Sequence, residues 1–185
     1  MMQASREIRR AVAKVNRRSG RKTQHHKTPR QILQDTGVGV FTRFVPLTDD
    51  QKTRLGLALQ GRINNVLDGS PKREDWSYLL SSLIEGYLTV RCIADDRIRG
   101  EWMRDVKAAA RLFDAAATHF QRTGIVAQAN IGTIANVLTD LEELKYSGSV
   151  NRADNVAILN YANENFKSVV IELFDGMPQC GLLEE

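Results

Sequence analysis

The stretch DDRIRGEWMRDVKAAARLFDAAATHFQRTG, residues 95–124, sets the fold of this chain. Its apolar side chains fall at Ile98, Trp102, Val106, Ala109, Phe113, Ala116/Ala117 and Phe120, in alternating steps of four and three. An α-helix turns once every 3.6 residues, so these positions line up along one side as a narrow coiled-coil-type seam. Asp95 and Asp96 stand where negative charge favours a helix start, and Gly124 is suited to closing the end. A seam of this kind is stable only against other helices, so the flanking sequence should supply them.

It does so at regular intervals. Upstream, Thr48 and Gln51 have the spacing of a capping box, and Leu55, Leu59, Ile63 and Val66/Leu67 make a helical stripe closed by Gly69. Ser70 and Pro71 read as the cap and first residue of a second helix, which carries Trp76, Leu79/Leu80, Leu83/Ile84 and Tyr87, then Val90 or Ile93. Downstream, a fourth helix carries Ile131, Ile134, Val137/Leu138, Leu141 and Leu144 and ends near Gly148. A fifth carries Val156, Leu159, Phe166, Val170 and Leu173/Phe174 and ends at Gly176 and Pro178. Short loops between long helices favour antiparallel neighbours. The expected fold is all-α: an up-and-down bundle of about five helices, residues 48–176, with a C-terminal tail at 177–185.

Two segments precede the bundle. Residues 1–30 form a basic arm holding ten Lys/Arg against the single acid Glu7, a charge of +9. The whole chain carries +4, so the remainder is −5: the body is mildly acidic and the excess positive charge belongs to the arm. Ala4, Ile8, Ala11, Val12 and Val15 allow a short amphipathic helix within it, marginal in water without a partner. Residues 31–47 form a connecting segment that is too apolar for a solvated linker, with Ile32, Leu33, Val38, Val40, Phe41, Phe44, Val45 and Leu47. Gly37 and Gly39 disfavour a helix there, so an extended conformation is expected. One strand makes no sheet: the segment either packs along the helical body or pairs with another subunit.

The arm is the main functional candidate. Arg9, Arg10, Lys14, Arg17, Arg18, Arg21, Lys22 and Lys27 are the expected nucleic-acid-binding residues, acting on phosphates through charge and counterion release. The arm lacks interleaved aromatics for base stacking, so contact with the backbone is expected rather than base readout. An acidic protein surface, a membrane surface and plain solvent are the alternative settings for such a charge run. Arg97, Arg104 and Arg111, seven residues apart with Lys107 beside them, make a second basic stripe opposite the seam. Glu101, Asp105 and Asp114 on the same helix offer ordinary intrahelical pairing for it.

Catalytic chemistry finds little support. His25 and His26 sit in the arm, and His119 is the one histidine of the body, with no acid at a spacing that would orient it. The Glu-x-x-His pairs of di-metal bundles do not occur. Asp49–Asp50, Asp95–Asp96 and Glu142–Glu143 are adjacent pairs, whose side chains diverge by about 100° on a helix and do not share a metal. There is no phosphate-binding glycine loop and no nucleophile elbow. No cofactor and no metal are expected. Asn160 and Asn163 fall near the stripe of the fifth helix, where they would hydrogen-bond in the core or mark a face that meets a partner. Cys92 and Cys180 lie far apart outside any metal-ligand spacing, which favours unbridged thiols in a reducing cytoplasm. No apolar run is long enough to cross a bilayer.

Across roughly residues 55–174 the chain resembles small helical proteins encoded in phages and prophages of proteobacteria. The resemblance is carried by the first helix ending in a Gly/Ser turn, Asp75–Trp76 with Leu79 and Leu83, and Gly100 with Trp102. Val106-Lys107-Ala108-Ala109, the Arg122-Thr123-Gly124 turn and the acidic 138–142 helix complete it. It implies an accessory protein of a phage or mobile element and transfers no activity, cofactor or catalytic residue. The expectation is a non-enzymatic protein that binds nucleic acid or a nucleoprotein through its arm. The alternative is a protein-interaction module, an inhibitor or scaffold docking on a host protein. A homo-oligomer is compatible with either.

Overall fold

The structure, a computed structural model, describes residues 47–69, 71–93, 95–147 and 152–183. The basic arm and nearly all of the 31–47 segment lie outside the described residues. The described chain is an all-α bundle of six helices: α1 (Asp49–Leu67), α2 (Arg73–Arg91), α3 (Asp96–Thr123), α4 (Gln128–Ser147), α5 (Arg152–Glu164) and α6 (Phe166–Leu173). A 3-10 turn, Gly181–Leu183, follows.

The helix ends are set by local chemistry. At α1, the Thr48 hydroxyl accepts from the Gln51 amide at 3.3 Å and the Gln51 side chain accepts from the Thr48 amide at 2.9 Å, the reciprocal cap read from the sequence. At α3, one Asp95 carboxylate oxygen accepts from the amides of Arg97 and Ile98, both at 2.9 Å. Gly124 ends α3 at φ +70°, a left-handed conformation that suits glycine. The start of α2 differs from expectation. It is Lys72, not Ser70, that caps it, and Pro71 stands one residue outside. The reason is Asp75, whose carboxylate accepts the Lys72 amide at 3.0 Å while its own amide donates back to the Lys72 carbonyl at 3.1 Å.

Contacts at the two ends of the helices establish the topology. Lys52 near the start of α1 pairs with Glu143 near the end of α4 at 3.8 Å, and Gln128 at the start of α4 donates to the Leu67 carbonyl at the end of α1 at 3.2 Å. α1 and α4 therefore run antiparallel. Trp76 at the start of α2 meets Phe113 edge-on (5.8 Å) and Phe120 at a tilt (5.6 Å) toward the end of α3, so that pair is antiparallel too. The up-and-down arrangement holds through these helices. α2 is the central stave and touches each of the other five.

That centrality makes α2 buried on nearly all sides. Besides its predicted stripe, Ser82, Gly86, Leu88 and Thr89 are all buried. The Thr89 hydroxyl is accommodated by donating to the Glu85 carbonyl one turn back, at 2.9 Å. Gly86 permits close approach of α4: a Cβ there would stand 2.7 Å from Leu141 Cδ1 and 3.3 Å from its Cβ. The core is continuous from Leu59, Ile63 and Val66 of α1 through the α3 seam to Ile131, Ile134, Leu138 and Leu141 of α4.

The expected fifth helix is two helices. Asn165 breaks it at φ −118°, with both its amide and its side-chain nitrogen donating to the Tyr161 carbonyl at 3.0 Å. A side chain that competes for a backbone acceptor disfavours helical continuation. The buried side of α5 is Ile158 and Ala162, whereas the predicted stripe residues Val156 (49 %), Leu159 (40 %) and Phe166 (41 %) are exposed. Asn160 and Asn163 are exposed beside them, which removes the option of amides bonded within the core. Only after the break does the predicted stripe return to the interior, with Val170 and Leu173.

The stretch read as a C-terminal tail is packed as far as it is described. Cys180 is buried, and the amides of Gln179 and Cys180 donate to the two Asp114 carboxylate oxygens at 3.0 and 2.7 Å. The Gly181 amide donates to the Gln121 side chain at 3.2 Å. The loop after α6 is thus laced to the outer side of α3.

Candidate functional site

Arg9, Arg10, Lys14, Arg17, Arg18, Arg21, Lys22 and Lys27 all lie outside the described residues. The described site that shares their chemistry is the outer face of α3. Arg97, Arg104, Arg111 and Arg122 recur there at spacings of seven, seven and eleven, which brings each back to within about 40° of the same side. Val106, Ala109, Phe113 and Ala116 on the opposite side lock the helix into the core. The face is rigid because its back is the seam.

The cations on this face differ in how they are engaged. Arg97 sits 3.8 Å from Glu101, an exposed pair one turn apart. Lys107 and Arg111 do not pair within the helix as the sequence suggested: both turn to Asp175 beyond α6, Lys107 by direct hydrogen bond and Arg111 at 3.7 Å. Asp175 reaches them because it takes a left-handed conformation, φ +57°, as the chain leaves α6. Arg104 and Arg122 are exposed and make no ion pair among the described residues. On the neighbouring α4, burial raises the Asp140 carboxyl above its ordinary value, reinforced by Glu143 and by Asp105 of α3.

Beside the last three turns of α3 lies an open groove of about 400 Å³. One wall is α3, with Arg111, Asp114, Ala115, Thr118, His119, Arg122 and Thr123; the other is Phe174, Met177, Pro178 and Gln179. Asp114 has both oxygens occupied by loop amides, so it serves as a clasp. The Thr123 hydroxyl is also committed, donating to the His119 carbonyl at 2.8 Å and accepting from the Ile125 amide at 3.1 Å. The Thr118 hydroxyl is buried and has no hydrogen-bond partner among the described residues. His119 is exposed on the groove. Sequence reasoning noticed His119 and Arg111 separately. The eleven-residue return from Arg111 to Arg122 was the signal that joins them, but the second wall comes from residues sixty positions downstream.

Elsewhere the charged groups tie helices together. Glu172 of α6 accepts from Tyr87 at 2.9 Å and from Arg91, and Glu85 of α2 accepts from Lys145 of α4 at 2.8 Å. Burial pushes the Tyr87 hydroxyl far above its ordinary range. Burial also raises Glu142, opposed by Lys145 and reinforced by Glu85. Burial and the adjacent Asp114 push the Cys180 thiol up to about 12, so it is protonated at neutral pH. Cys92 and Cys180 are both buried and form no disulfide. Among the described residues, no group of three or more His, Cys, Asp or Glu is placed to hold a metal ion, and no helix is long and apolar enough to cross a membrane.

No protein-family model, curated protein or solved structure matches this chain.

Proposed function

We propose that this is a non-enzymatic binding protein that engages nucleic acid, or a nucleoprotein, through its basic arm, with the bundle as a rigid body. The observation that carries this reading is the segregation of charge: +9 in residues 1–30 and −5 in the rest. Positive charge concentrated in one short segment presents phosphates with a higher local potential than the same charge dispersed over the chain. Arg9, Arg10, Arg17, Arg18, Arg21 and Lys22 are assigned the phosphate contacts. The resemblance to phage and prophage proteins fits an accessory role of this type in the cytoplasm. Deleting residues 1–30 should abolish retention of a duplex or single strand in a low-salt gel shift. Unchanged retention would overturn the reading.

A second reading is favoured by a different observation. Val156, Leu159 and Phe166 are three of the seven large apolar side chains exposed on the described surface, concentrated within eleven residues. Clusters of this kind mark protein contacts more often than isolated exposed residues do. The protein would then be an interaction module docking on a host protein, or on another copy of itself, with help from residues 31–47. A stoichiometric partner retained after nuclease treatment supports it, and a partner that leaves with the nucleic acid favours the arm.

A further inference from the structure

We propose that the groove between α3 and the loop after α6 is a second nucleic-acid contact, seating backbone phosphate on the body of the protein. This rests on the nucleic-acid reading above and extends it to residues of the bundle.

Three features of the groove converge on that ligand. First, Arg111 and Arg122 stand at its two ends, three helical turns apart, which is roughly 16 Å along the axis. A phosphodiester chain lying along α3 would meet a guanidinium at each end. Second, these cations are available. Arg122 has no ion pair among the described residues, and Arg111 is 67 % exposed with Asp175 no nearer than 3.7 Å. Such an exposed, loosely spaced pair is worth little and yields readily to a phosphate. Third, Asp114, the one carboxylate among the described residues lining the groove, is turned to the Gln179 and Cys180 amides, so its charge is partly compensated where a phosphate would sit.

The walls are also held before any ligand arrives. Asp114, Gln121 and Lys107 each fasten the loop to α3. Ala115 puts only a methyl group into the space between the arginines. His119 adds ring nitrogens at the rim. Because all these contacts are to phosphate, the site would read no sequence and would act with the arm on one strand.

The test compares the full-length wild type with full-length Arg111→Gln/Arg122→Gln. Binding to a fluorescent duplex is measured from about 50 to 200 mM salt. Every phosphate that a substitution sets free should flatten the salt dependence of log K by about 0.9, so the double substitution should lower the slope by about 1.8. A full-length form with Arg9, Arg10, Arg17, Arg18, Arg21 and Lys22 changed to Gln separates the two ideas. If that form loses binding while the groove variant matches wild type, the groove inference is overturned and the arm reading stands. If wild type itself binds no nucleic acid, both fall.

Discussion

α2 and α3 lie side by side, antiparallel, and solve opposite problems. From Leu79 to Val90, α2 leaves only Ser81 and Glu85 without full burial, and it admits a glycine, a serine and a threonine to the interior because neighbours crowd it on every side. α3 is divided lengthwise, with a closed seam on one side and exposed arginines on the other. Enclosure and exposure are thereby assigned to different helices. α2 holds the bundle together and has little surface to offer, whereas α3 can change its outer side chains without disturbing the packing. A functional surface is expected on a helix of the second kind.

That division can be challenged from either side. The largest effect should come from the inner side of α3. Phe113 is fully buried and packs against Trp76 and, at 6.4 Å, against Phe174, so Phe113→Ala should cost about 3–5 kcal/mol in urea unfolding. The centre of α2 comes next. Gly86→Ala would normally favour a helix, but the added methyl collides with Leu141, so a loss of about 1–3 kcal/mol is expected. A stabilised variant would show that α4 can retreat and that α2 is less tightly enclosed than its burial implies.

The remaining predictions concern the edge between core and surface. Asp114→Ala removes the clasp on the loop and should cost about 1–3 kcal/mol. Its more specific signature is chemical: Cys180, protonated at neutral pH with a pKa of about 12, should resist alkylation in the wild type and react faster in the variant. The smallest effect belongs to Glu142. Its folded pKa is raised, so the folded state binds a proton more tightly than the unfolded state does. Its contribution to stability is therefore greatest at low pH and is lost as pH rises through the raised value. Glu142→Gln should flatten the stability profile just above the usual carboxylate range while leaving α2 and α3 packed as before. An unchanged profile would mean that Lys145 compensates the carboxylate fully.

The expectations that succeeded share a physical form. Thr48 with Gln51, Asp95 and Gly124 act within a few residues of themselves, so the helix ends they make are local and readable. The α3 seam was legible because a helix with one buried side keeps a clear period. α2 was only partly legible, since a helix enclosed on all sides has no polar face to set the contrast. The α5–α6 region misled for a related reason. Its apolar residues repeat with helical spacing, yet Asn165 turns the chain, and Ile158 with Ala162, rather than Val156 with Leu159, face the core. Nothing local distinguishes those two stripes; the position of α2 does.

Reading the residues in order was enough to establish that the described body is helical, where most of its helices begin and end, and that the excess of positive charge lies in residues 1–30. These follow from hydrogen-bonding caps, apolar period and composition, all short-range or additive properties. Packing in three dimensions chose which helix is central, which apolar stripe is left exposed, and that Arg111, Thr118 and Arg122 share a groove with Met177 and Gln179. Those outcomes depend on contacts between residues tens of positions apart, where the winner is set by competition for one buried volume.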